Sequence, residues 1–116
     1  FFSRYLRQAQ GRWYREMINY DPEDYIPRIH QPVLALNGDK DIRVPAKENL
    51  ASIKQLLDKG GNTRYKIVEL PGLNHLFQTS PECTREEIPD LEDVFSEEAL
   101  QIMGDWLREN VQARSK

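Results

Sequence analysis

Cysteine occurs once in the 116 residues, at Cys83, so an internal disulfide is excluded. With only two histidines beside that single thiol, the chain has no Cys/His cluster of the kind that holds structural zinc, and nothing in it calls for a metal or an organic cofactor. No apolar run approaches the ~18 residues of a membrane span, and no signal-peptide pattern follows Phe1. A basic excess is lacking too. Lys and Arg number 16 against 19 Asp and Glu, a formal net charge of −3, which argues against a nucleic-acid partner that needs clustered positive surface. What is present is 39% hydrophobic and 30% charged residues, enough for one domain with a modest core. The cellular compartment stays open.

The stretch Pro32-Val33-Leu34-Ala35-Leu36-Asn37-Gly38-Asp39-Lys40-Asp41 organises the rest. Proline lacks an N–H and suits a first strand position. The unbroken apolar run from Val33 to Leu36 has the pattern of a strand buried on both faces of a parallel sheet. Asn37-Gly38 is a turn dipeptide, and two carboxylates, Asp39 and Asp41, follow it. Ligands of open α/β sheets sit beyond the carboxyl ends of the strands, so an acid there is positioned for chemistry.

A second run rich in β-formers, 64–70, is stopped by Pro71-Gly72, and His75 stands three residues further on. Between the runs, Ala46, Leu50, Ile53 and Leu57 repeat at helical spacing over 46–58, and Gly60-Gly61 ends the segment. The three elements form a βαβ unit. With the usual right-handed crossover both strands end on one edge of the sheet, and Asp41 meets His75 across 34 positions of sequence.

A strand ending in Gly-x-x-Asp, a helix, and a strand ending just before Asn-His resemble the C-terminal part of the α/β-hydrolase fold. In that fold the triad runs in the chain order Ser, Asp or Glu, His. The resemblance implies Asp41 as the acid and His75 as the base. The run Glu69-Leu70-Pro71-Gly72-Leu73-Asn74-His75-Leu76-Phe77-Gln78 is most similar to bacterial serine esterases and acyl hydrolases, the dienelactone-hydrolase-like branch. The likeness extends from about Tyr20 to the terminal helix. It implies a small-molecule ester or acyl substrate. Asp39, one residue past Gly38, is the rival acid and is expected to brace the loop.

The nucleophile's Gly-x-Ser-x-Gly is missing. None of Ser3, Ser52, Ser80, Ser96 and Ser115 has glycines at that spacing, and only Ser3 precedes Asp41. The expectation is a single partial domain, the C-terminal portion of a longer hydrolase, inactive alone. Residues 1–31 would be a lid or outer helix with a lead-in, and 32–116 the βαβα segment. Residues 3–19 read as a helix interrupted near Gly11, and the aromatic residues Phe1, Phe2, Tyr5 and Trp13 either line an acyl pocket or pack on the sheet or on an absent half. Asp21-Pro22 marks a helical start. His30 lies at the amino-terminal end of the first strand, away from the expected site. The acidic loop 79–94 is a substrate-entrance cover or a surface excursion, and Cys83 within it has no basic neighbour to activate it. Ser96, followed by Glu97 and Glu98, caps a last helix over 96–111 whose stripe is Leu100, Met103, Trp106, Leu107 and Asn110.

Two other classes fit parts of this pattern. One is a non-catalytic module that keeps the hydrolase fold and binds at the strand-end crevice. The other is a flavodoxin-like or receiver-like domain, which needs an earlier acid-bearing strand that the residues before Pro32 do not supply. An open edge on the first strand adds an expectation about partners: self-association, or pairing with the protein's own N-terminal half.

Overall fold

The structure is a computed structural model that describes residues 7, 10–82, 84, 86 and 94–111. Its centre is a pair of parallel strands, β1 (Val33–Gly38) and β2 (Tyr65–Leu70). Each lies within about a residue of the range its apolar pattern predicts. The register sets Val33 opposite Tyr65 and Gly38 opposite Leu70, so the two strands finish level with one another. Backbone bonds extend the seam past both ends. The Val33 N–H donates to the Arg64 carbonyl, the Asp39 N–H to Leu70, and the Lys40 N–H to Leu73.

Three helices accompany the strands among the described residues: α1 (Arg12–Ile18), α2 (Ala46–Lys59) and α3 (Glu97–Asn110). The crossover α2 buries Ala46, Leu50 and Leu57, three of the four positions that its spacing nominated, and half-buries Ile53. At its far end the Asn62 side chain gathers the start of both strands. It donates to the carbonyls of Ile29 and Gln31, each at 2.9 Å, and accepts the Arg64 N–H at 2.8 Å. Asp21 caps the short 3-10 turn Pro22–Asp24 by accepting the Glu23 N–H, with Pro22 at the first position. A second such turn, Ile26–Arg28, leads into β1.

The other core lies where α3 meets the ends of the strands. Leu70, Leu73 and Ala99 are its buried centre, and Leu36, Val68, Phe77, Ile102 and Met103 pack around them. Ser96 caps α3 as its sequence predicts, accepting the Ala99 N–H. The stripe predicted for that helix is partly displaced. Ala99, Ile102, Met103 and Trp106 face inward, while Leu100 and Leu107 are more than half exposed. Ala99, the only fully buried residue of α3, sets the rotation, because its small side chain allows close approach to Leu70 and Leu73.

Two further expectations are corrected. In β1 the residues Val33 to Leu36 are only half-buried, and burial is complete only at Asn37 and Gly38. Two strands and their helices leave part of each sheet face uncovered. In the 3–19 region the described helix begins after Gly11, and Trp13 is 69% exposed, so it does not pack on the sheet. Phe1, Phe2, Tyr5, Cys83 and much of the 79–94 loop lie outside the described residues. No helix among the described residues is long and apolar enough to cross a membrane.

Candidate active site

Beyond the level strand ends, two short loops face each other. The first, after β1, carries Asp41. Its Oδ1 accepts the N–H groups of Arg43 (2.8 Å) and Val44 (2.9 Å), an Asx turn that folds the loop around its own acid. The second, after β2, carries His75 within a knot built by two buried amides. The Asn74 Oδ1 accepts the N–H groups of Leu76 and Gln78, and its Nδ2 donates to the Gln78 Oε1. Leu73 and Thr79 close the base of this loop as an isolated antiparallel bridge. Phe77 adopts φ 58°, a left-handed conformation unusual for a large side chain, and its ring stacks on Phe95.

The two loops are fastened to each other as well. The Asp39 Oδ1 accepts the Gly72 N–H at 2.7 Å, so the rival acid braces the loops rather than meeting a histidine. Gly38 passes so close to the second loop that a Cβ there would stand 2.0 Å from the Leu73 carbonyl oxygen. Glycine is required at this position for contact, not for backbone freedom.

Across this junction the His75 Nδ1 lies 2.8 Å from the Asp41 Oδ2. The acid's side chain is 6% exposed and the imidazole 43%, so a buried carboxylate backs a ring that opens to solvent. Burial by itself raises the Asp41 carboxyl. The His75 hydrogen bond, the N–H groups of Val44 and Arg43, and the charge of His75 outweigh it, and the group lies below its ordinary value of 3.8. An ionised carboxylate only accepts, so the His75 Nδ1 donates to it, and in the neutral form of the ring the lone pair then stands on Nε2. That is the tautomer a general base needs.

Cavities flank the ring on two sides. One, of about 210 Å³, runs along the β1 end past Leu36, Asn37, Asp41, Val44 and Phe77. The other, of only about 50 Å³, is lined by Lys40, Ile42, Arg43, Leu76 and Ser80. His30 is remote from both. It is exposed on the lead-in to β1, with its N–H on the Gln31 side chain.

The profile of the prolyl oligopeptidase family matches residues 2–101. The chain belongs to that family. Prolyl oligopeptidase relatives are serine peptidases of the α/β-hydrolase fold, which makes this a serine hydrolase chain at the superfamily level and accounts for its parallel strands and strand-end loops. The acylamino-acid-releasing enzyme of Rattus norvegicus is 34% identical over 62 residues, which are 53% of this chain and 8% of that relative. The chain thus corresponds to a small part of the relative's length. No solved structure matches it. These likenesses correct the esterase and dienelactone-hydrolase branch suggested by the sequence, because they point to the peptidase side of the superfamily. Gly-x-x-Asp and Asn-His belong to the catalytic end of the whole fold, so they carry little information about branch.

Sequence reasoning passed over the supporting amides. In sequence Asn37 is half of a turn dipeptide, and Asn74 and Gln78 are parts of a motif, yet all three are buried and hydrogen-bonded. A polar residue closing an apolar strand run, and an Asn-x-x-x-Gln spanning the histidine, were the available signals.

Proposed function

We propose that Asp41 and His75 are the acid and base of a serine-hydrolase triad whose nucleophile lies outside the described residues, and that the protein hydrolyses an amide or ester of a small acyl or peptidyl substrate. The observation that carries this reading is the 2.8 Å contact between Asp41 Oδ2 and His75 Nδ1 at the shared end of two parallel strands. Likeness to an acylamino-acid-releasing enzyme favours an amide of an acylated amino acid over a simple ester.

The chemistry follows from the tautomer. Nε2 of His75 takes the proton of the serine hydroxyl as its oxygen bonds to the substrate carbonyl carbon. The imidazolium so formed is stabilised by the Asp41 carboxylate and returns the proton to the departing amine or alcohol as the carbonyl–leaving-group bond breaks. Water then repeats the sequence on the acyl-enzyme, with His75 again the base.

A fluorophosphonate probe, which acylation-competent serines attack, tests this in the intact protein. The expected result is labelling of one serine, identified by mass spectrometry, and loss of that labelling in His75→Ala with the fold retained. Labelling at an undiminished rate in His75→Ala would remove His75 from the mechanism. Complete absence of labelling in the wild type would favour a binding module that keeps the fold without the reaction.

A further inference from the structure

Asn37 closes the apolar run of β1, is only 5% exposed, and no part of the acid–base reading uses it. Its Oδ1 accepts the Asn49 Nδ2 at 2.8 Å, a bond from the strand end to the first turns of α2. Its Nδ2 is shared among three acceptors: the Gly38 carbonyl at 3.2 Å, the Val44 carbonyl at 3.3 Å, and the Asp41 Oδ2 at 3.4 Å. Those groups span the whole loop that carries the acid. The two oxygens of Asp41 are therefore held differently. Backbone N–H groups fix Oδ1, and the remaining rotation of the carboxylate is limited by what Oδ2 meets, namely His75 and the Asn37 amide.

We infer that Asn37 is a positioning residue for the acid, braced by Asn49, which holds the Asp41 Oδ2 in line with the His75 Nδ1. The inference rests on the acid–base reading above. An apolar residue at this strand position would fill the same space and satisfy the same burial, but it would leave the Val44 carbonyl and the Asn49 amide without partners and free the loop to drift from His75.

The test is the tautomer of His75, read from its ¹⁵N shifts in the histidine-labelled protein, with His30 as an internal control. In the wild type the neutral ring is expected to be protonated mainly at Nδ1. In Asn37→Leu, which keeps the volume and removes every bond, the Nδ1-to-Nε2 tautomer ratio is expected to fall about fivefold, the equivalent of about 1 kcal/mol for one net hydrogen bond. Asn49→Ala removes only the brace. It should lower the ratio less, and it decides the matter if Asn37→Leu does not fold. An unchanged ratio in a folded Asn37→Leu variant, or in Asn49→Ala where the former fails to fold, overturns the positioning role. A wild-type ring without any Nδ1 preference instead refutes the Asp41–His75 pair itself, so the two failures are told apart.

Discussion

Replacing Gly38 with alanine should separate Asp41 from His75 without touching either residue. The added Cβ would stand 2.0 Å from the Leu73 carbonyl oxygen, 2.6 Å from its carbon and 3.0 Å from the Asn74 carbonyl oxygen. All three are backbone atoms, so no side chain can turn aside. Ordinary van der Waals contact begins near 3.4 Å, and the loop must retreat by about 1.4 Å to reach it. The loop moves as a unit, because the Leu73–Thr79 bridge and the Asn74–Gln78 bonds bind it into a knot. His75 rides on that knot. Shifting it by such a distance takes the 2.8 Å contact with Asp41 beyond the ~3.2 Å limit of a good hydrogen bond. The expected cost is about 1–3 kcal/mol of stability from overpacking and, if His75 is the base as proposed, a fall of about 10²-fold in kcat/KM from its misplacement. Urea unfolding and steady-state hydrolysis by the intact Gly38→Ala protein measure the two effects. A variant with undiminished stability and activity would refute the argument that this contact sets the distance between the loops.

Three other outcomes follow from the same structure. Asp41 is held below its ordinary carboxyl value of 3.8, so the stability its ionised form contributes is present above that pH and is lost as pH falls below it; the gap in unfolding free energy between wild type and Asp41→Asn should shrink as pH falls below 3.8, and a gap that instead widened there would reverse the sign. Asn62→Ala removes three hydrogen bonds that gather the strand starts and should cost about 3 kcal/mol in urea unfolding, at about 1 kcal/mol per bond, while activity per folded molecule is kept, since Asn62 is at the opposite end from the site. β1 pairs only with β2 among the described residues, and its other edge offers unpaired N–H and C=O groups, so the purified 116-residue chain should self-associate in sedimentation at micromolar concentration; a stable monomer would show that the edge is covered some other way.

The parts of this architecture that were legible in sequence are those with local causes. Proline before an apolar run, and glycine after one, bounded both strands and the crossover helix to within about a residue. Their parallel pairing then brought Asp41 to His75, which is a consequence of topology and needed no knowledge of side-chain contacts. The rest depended on tertiary contacts that no periodicity records. The rotation of α3 is decided by the fit of Ala99 against Leu70 and Leu73, not by the larger Leu100 and Leu107. Asn37 reads as a turn former and Asn74 as part of the histidine motif in sequence, yet the buried amides fasten backbone, Asn74 within its loop and Asn62 between segments up to 33 positions apart. The family branch is not legible in these motifs for another reason. The acid and base ends of the fold serve esterases and peptidases alike, whereas the match to prolyl oligopeptidases draws on nearly the whole chain.

Steady-state kinetics of three variants in the intact protein test the central claim most directly. Asp41→Asn keeps the size of the acid but presents a donor to Nδ1, which favours the wrong tautomer, and kcat/KM should fall by about 10⁴-fold. His75→Ala should fall at least as far, and His30→Ala, on the exposed lead-in to β1, should match the wild type. An inactive His30→Ala protein beside an active His75→Ala protein would contradict the account.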